Sequence, residues 1–249
     1  MRVLLTAVFG LALSAFAFPA AADVAGRYET KDKNAFFTME MTIETNDAGD
    51  VRMQMAGQAN YFLLKSGVVY TVGRGEAGPV VERVADMLAV QADTLRRIGL
   101  SDRLADAAGK APQTEFAKIG PESVGPWKGT AFGFKSDTGK PGPYAAFVMS
   151  DDPRIAPLGK GIAAMNADMM GAMGNMFPGF GQFGQDFLRF LATGTPIRMI
   201  NVELTDVSCD RIDPERFALP AAPLALEQLK AQAQPFPEPP TLPPRTSSE

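Results

Sequence analysis

The sequence predicts an α+β protein, a curved antiparallel sheet (an incomplete β-barrel) covered on its concave face by helices. Three observations carry that reading. Phe37, Met39, Met41 and Ile43 alternate strictly with Thr38, Glu40, Thr42 and Glu44, which marks a strand with one apolar and one wet face. Leu158, Ile162, Met165, Met169, Met173 and Met176 recur at steps of three and four, the period of an amphipathic helix. Strand-like runs stand before, between and after the two helical stretches, so strands and helices segregate rather than alternate one by one.

In chain order, residues 1–22 read as an export signal. Arg2 is the one charge before Asp23, the run from Val3 to Phe18 is apolar, and Ala20-Ala21-Ala22 suits a peptidase. The apolar run is short of the ~20 residues that span a bilayer, and no later run is long enough either. The mature chain is therefore expected to begin at Asp23, without a transmembrane segment, in the periplasm or outside the cell.

Residues 26–73 read as antiparallel strands. After the alternating run comes a turn at Asn46-Asp47-Ala48-Gly49, then Val51, Met53 and Met55 inward, then runs at 61–64 and 68–72. A helix is expected over 80–98, with Val81, Val84, Leu88, Leu95 and Ile98 on one side, and a short second helix from Ser101 to Gly109. Strands return at 115–119, 128–134 and 143–149. Asp152-Pro153 reads as a cap before the Met-rich helix of 158–177. The segment from Phe177 to Gly184 breaks that helix, and a short one is expected over 185–192. Residues 196–212 give the last strand material, with Ile200, Val202 and Leu204 on one face and a phase slip at Thr205-Asp206 that suggests a bulge. The domain thus spans 23–220. Residues 221–249 are Pro-rich and expected to be disordered and outside the core, apart from a helical turn or two at 224–230.

Composition excludes several function classes. The chain of 249 residues holds no His and one Cys. A Ser-His-Asp or Cys-His catalytic unit, a His-ligated metal and an internal disulfide all fall away. A net charge of −4 argues against a nucleic-acid partner. No credible nucleophile stands out, no cofactor is called for, and the expectation is a non-enzymatic protein. Asp151-Asp152 and Asp210/Asp213/Glu215 stand next to Pro153 and Pro214 and read as cap and turn residues. Cys209 reads as a small packed hydrophobe.

Gly73-Arg74-Gly75-Glu76-Ala77-Gly78 spells the dinucleotide fingerprint G-x-G-x-x-G. It follows antiparallel strands and is followed by Pro79, so a flexible Gly-rich turn between strand and helix is the reading preferred.

The closing segment, Gly194-Thr195-Pro196-Ile197-Arg198 with Leu204, Ile212-Asp213 and Phe217-Ala218-Leu219-Pro220, resembles the closing strands of the LolA-like superfamily. The hairpin from Met39-x-Met41 to Val51-Arg52-Met53 suits that family's early strands. The resemblance spans about residues 26–220 and is nearest to an exported family of unknown function within that superfamily. It implies an incomplete β-barrel with a helical lid and a hydrophobic cavity that holds acyl chains, as in outer-membrane lipoprotein carriers.

The candidate ligand surface joins two Met-rich faces. Phe37, Met39, Met41, Ile43, Val51, Met53 and Met55 form the sheet side. Met165, Met169, Met173, Phe177, Phe180 and Phe183 form the helical side. Thioethers pack adaptably around variable contents, and Phe on a Gly-rich hinge suits a lid. The expected function is an exported carrier for a hydrophobic ligand: an acyl chain, a lipid or a lipoprotein. Another envelope protein is a further candidate partner. Three alternatives stay open at this point: plain core packing of the methionines, Cu(I) held by thioethers in a periplasmic copper protein, and an envelope scaffold without a ligand.

Overall fold

The computed structural model describes residues 23–31, 38–101, 103–104, 106, 115–136, 138–142, 144–176 and 181–233. One open antiparallel sheet of eleven strands organises the chain. The strands are β1 (Val24–Thr30), β2 (Glu40–Thr45), β3 (Val51–Met55), β4 (Tyr61–Lys65), β5 (Val68–Gly75) and β6 (Gly78–Arg83), then β7 (Phe116–Val124), β8 (Trp127–Phe134), β9 (Phe147–Ser150), β10 (Thr195–Met199) and β11 (Val202–Ser208). The helices are α1 (Val84–Arg97), α2 (Ala156–Met176), α3 (Gly181–Leu191) and α4 (Leu226–Gln232), with a 3-10 turn at Pro214–Phe217. No helix among the described residues is long and apolar enough to cross a membrane.

The strand order is β6-β5-β4-β3-β2-β1-β11-β10-β9-β8-β7. Two consecutive meanders are therefore sewn together where β1 pairs with β11, and β1 is the seam. Its inward residues Val24, Gly26, Tyr28 and Thr30 alternate with Ala25, Arg27 and Glu29, and Tyr28 is fully buried. The Tyr28 hydroxyl donates to the Pro196 carbonyl at 2.9 Å, and burial raises its pKa above the ordinary phenol value.

Strand period two gives the sheet a helix face and an opposite face. On the helix face Met41, Ile43, Val51, Leu64 and Val69 share one core with Leu158, Ile162 and Met165 of α2. The helix lies very close: a Cβ at Gly161 would stand 2.7 Å from Thr45 Cγ2 and 2.8 Å from Val51 Cγ2. Asp168 of α2 accepts the Val69 N–H at 2.9 Å, fixing the helix along β5. At the β7–β9 end α3 sets Phe190 against Phe116, Phe132 and Phe147, with ring centroids 4.2 Å, 5.2 Å and 5.2 Å away. Such aromatic packing contributes beyond its buried area.

The opposite face is polar at the centre. Arg27 pairs with Glu29 and Glu40, and Lys31 with Glu203. Arg198 of β10 pairs with Glu203 and with Glu122 of β7. Cα atoms of β7 and β11 come within 8 Å, although four strand steps of ~4.8 Å would separate them by about 19 Å in a flat sheet. This end therefore rolls up toward the face that carries Arg198.

Four expectations change here. The segment 78–83 is strand β6, and α1 begins at Val84. Gly73–Gly78 is accordingly the β5–β6 hairpin, with Gly75 paired to Gly78. No helix starts at those glycines, so the phosphate-cradling geometry of the dinucleotide fingerprint is missing. The 196–212 stretch is two strands. Ile200 turns the corner between β10 and β11 at φ 57° and is 65% exposed, rather than sharing a face with Val202. The bulge expected near Thr205 is present, as a register shift opposite Arg27/Tyr28. Cys209 is exposed rather than packed, because β11 has ended one residue earlier.

The fourth change concerns the C-terminal segment. Ile212, Phe217, Leu219 and Ala221 pack on Leu63, Tyr70, Val72 and Val81 of the opposite face. The Leu224 N–H donates to the Val81 carbonyl at 2.9 Å, and α4 then packs on α1 with Leu229 buried. Residues 212–233 thus strap the sheet from its opposite face to the β6 edge, and the part expected outside the core, 221–233, is held there by Ala221, the Leu224 N–H and Leu229. The helical turn expected at 224–230 is α4. Residues 234–249 lie outside the described residues, as do the expected signal at 1–22 and most of the Ser101–Gly109 helix.

Candidate functional site

The site lies at the β3–β6 end of the helix face. The register makes a continuous row: Met53 opposes Phe62, Phe62 opposes Thr71, and Thr71 opposes Glu82. A cavity of about 440 Å³ opens here, and all four residues line it together with Met55 and Val80. That volume falls in the range of small-molecule sites, ~300–1,000 Å³. Gln58 and Asn60, from the β3–β4 connection, supply amide groups at its margin.

The expected sheet-side residues divide across this geometry. Met41, Ile43 and Val51 are buried at 7%, 2% and 0% exposure. They are core, packed under α2. Met39 is half-buried against the same core. Met53 and Met55 are also half-buried against that core, and they line the cavity as well. Met41 and Met55 are directly opposed across β2 and β3, so the boundary between core and cavity falls between neighbouring thioethers.

The helical side divides likewise. Met165 is 3% exposed and interlocked with the sheet core. Met169 is half-buried against it, and Met173 is half-buried further along α2. None of the three lines the cavity that Met53 and Met55 line. Met170 faces another way: a Cβ at Gly184 of α3 would meet Met170 Cβ at 3.5 Å. Phe183 stacks on Phe187 within α3, their centroids 6.1 Å apart. Phe37, Phe177 and Phe180 lie outside the described residues.

The residues that sequence reasoning missed are Phe62, Thr71, Val80 and Glu82. Phe62 and Thr71 stood in runs already read as strands, but their common face follows only from cross-strand register. Glu82 and Val80 were assigned to a helix.

Other charged groups serve structure. Arg52 is held by Glu44, by Gln54 and by the Tyr61 ring, 4.2 Å away. Asp213 accepts the Glu215 N–H at 3.0 Å and caps the 3-10 turn, as its place before Pro214 predicts. The Arg154 guanidinium and then its backbone N–H hold the Asp152 carboxyl well below the usual range, at about 2. Among the described residues no group of three or more His, Cys, Asp or Glu could hold a metal ion.

Compared with known protein families, curated proteins and solved structures, the chain matches none.

Proposed function

We propose that this protein is an exported, non-enzymatic carrier that holds a hydrophobic ligand in the Met53/Met55 cavity. One observation carries the reading. A hollow of about 440 Å³ sits on the helix face, walled by two flexible thioethers and an aromatic ring. Met side chains repack around contents of variable shape at small cost. The mechanism is burial without chemistry, in which each methylene removed from water contributes ~0.8 kcal/mol.

The open antiparallel sheet with helices on one face fits the LolA-like resemblance. It supports an acyl chain or single-chain lipid as the ligand class and the envelope as the place of work. In this proposal α1 and α2 shelter the concave side of β1–β6.

The test is binding of a fluorescent fatty acid to the full chain lacking residues 1–22. Micromolar affinity is expected, about 8 kcal/mol. Met55→Asp should weaken binding at least tenfold, because it puts an unpaired charge in the wall. Tyr144→Asp, at a position 83% exposed, should leave it unchanged. Folded protein that binds no apolar ligand would refute the carrier reading.

A further inference from the structure

The inference deepens the proposed function and rests on it, by naming the ligand's head group. Glu82 ends the row Met53–Phe62–Thr71–Glu82 on the cavity side of the sheet, half-buried. Its carboxylate takes one long hydrogen bond, from the Thr71 hydroxyl at 3.4 Å, and the same hydroxyl lies 3.4 Å from the Met87 sulfur. Among the described residues Glu82 has no ion-pair partner. A carboxylate at the end of an apolar wall loses part of its hydration and gains most from a cation that arrives with the ligand.

Arg74 also borders the cavity. Gly73, however, takes the inward position of β5, opposite Val80. The Arg74 side chain leaves from the other face and is exposed. The charge presented among the apolar walls is therefore negative.

We propose that the cavity takes a single-chain amphiphile with a protonated amine head. The chain lies over Met53, Met55 and Phe62, and the ammonium donates to Glu82. An ammonium offers three donors and no acceptor, which matches a carboxylate that has only one weak donor. A fatty acid carries the wrong charge for this position and would have to place its head at the mouth.

The experiment is isothermal titration of the full chain lacking residues 1–22 with dodecylammonium and with dodecanoate, at pH 7, each below its micelle concentration. The unmodified protein should bind dodecylammonium at least tenfold more tightly than dodecanoate. Glu82→Gln keeps the side-chain shape and should bring that ratio close to one. Arg74→Gln should leave the ratio as it was. Equal or tighter binding of dodecanoate by the unmodified protein overturns the proposal, and so does an unchanged ratio in Glu82→Gln. Binding of both chains without preference leaves the carrier reading standing and removes only the head-group assignment. Binding of neither removes both.

Discussion

Met41 and Met55 face each other directly across β2 and β3, yet one is core and the other is cavity wall. Both descend from the same period-two pattern, so the pattern alone gives them the same role. What separates them is depth: Met41 is buried in the core shared with α2, whereas Met55 is half-buried at the border of that core and lines the cavity. The boundary has an energetic signature. Met41→Ala empties a filled site and is expected to cost ~2–5 kcal/mol. Met55→Ala enlarges a hollow that already exists and should cost less than about 1.5 kcal/mol. Urea denaturation of both variants checks the contrast.

Ile200 is a β-branched residue in the left-handed region, at φ 57° in the two-residue turn between β10 and β11. That conformation costs an L side chain ~1–2 kcal/mol and costs glycine nearly nothing. Ile200 is also exposed, so its removal sacrifices little packing. Ile200→Gly should leave the protein as stable as before or up to about 1 kcal/mol more stable, although glycine loses more chain entropy on folding. A loss above 1 kcal/mol in thermal unfolding would show that the turn depends on the Ile200 side chain.

Glu44 is 7% exposed and binds two guanidiniums, Arg52 of β3 and Arg216 of the C-terminal strap. Glu44→Gln would leave two cations close together with no anion between them. A destabilisation of ~3 kcal/mol is expected, the usual cost of breaking a buried pair. Arg216→Ala leaves the Arg52–Glu44 pair in place and should cost only about 1 kcal/mol. Its clearer effect should be faster hydrogen exchange at the Leu224 amide, which the strap holds on Val81.

Asp152 should titrate near 2, held there by Arg154. The folded value lies below the ordinary one of ~3.9. Its pairing therefore favours the folded state above that ordinary value, and the benefit fades as pH falls toward 2. A carboxyl NMR titration should place the midpoint near 2 and move it upward in Arg154→Ala.

The α+β class and the antiparallel sheet were legible because alternation is local. Met41/Ile43, Val51/Met53 and the α2 stripe all announce their faces within a few residues. Two misreadings came from segments whose signal is ambiguous. Val80-Val81-Glu82-Arg83 suits a strand as well as the first turn of a helix, and only pairing with β5 decides it. Ile200 is a poor turn residue, β-branched and at positive φ, so the hairpin it makes with Asn201 is imposed by the strands on either side. The cavity was half legible. Met53 and Met55 announce themselves by composition, whereas Phe62, Thr71 and Glu82 join them only through register across four strands. The strap was hidden because its anchors, Phe217, Leu219 and Leu229, are few and scattered among prolines.

The most direct test of the central claim is methionine methyl NMR on the full chain lacking residues 1–22, titrated with a twelve-carbon amphiphile. A ligand in the β3–β6 cavity should shift the Met53 and Met55 methyl signals saturably, while Met149, buried at 5% in the other half of the sheet, stays in place. Saturable shifts at Met149 with Met53 and Met55 unmoved, or no saturable shift at any methionine, would contradict the account.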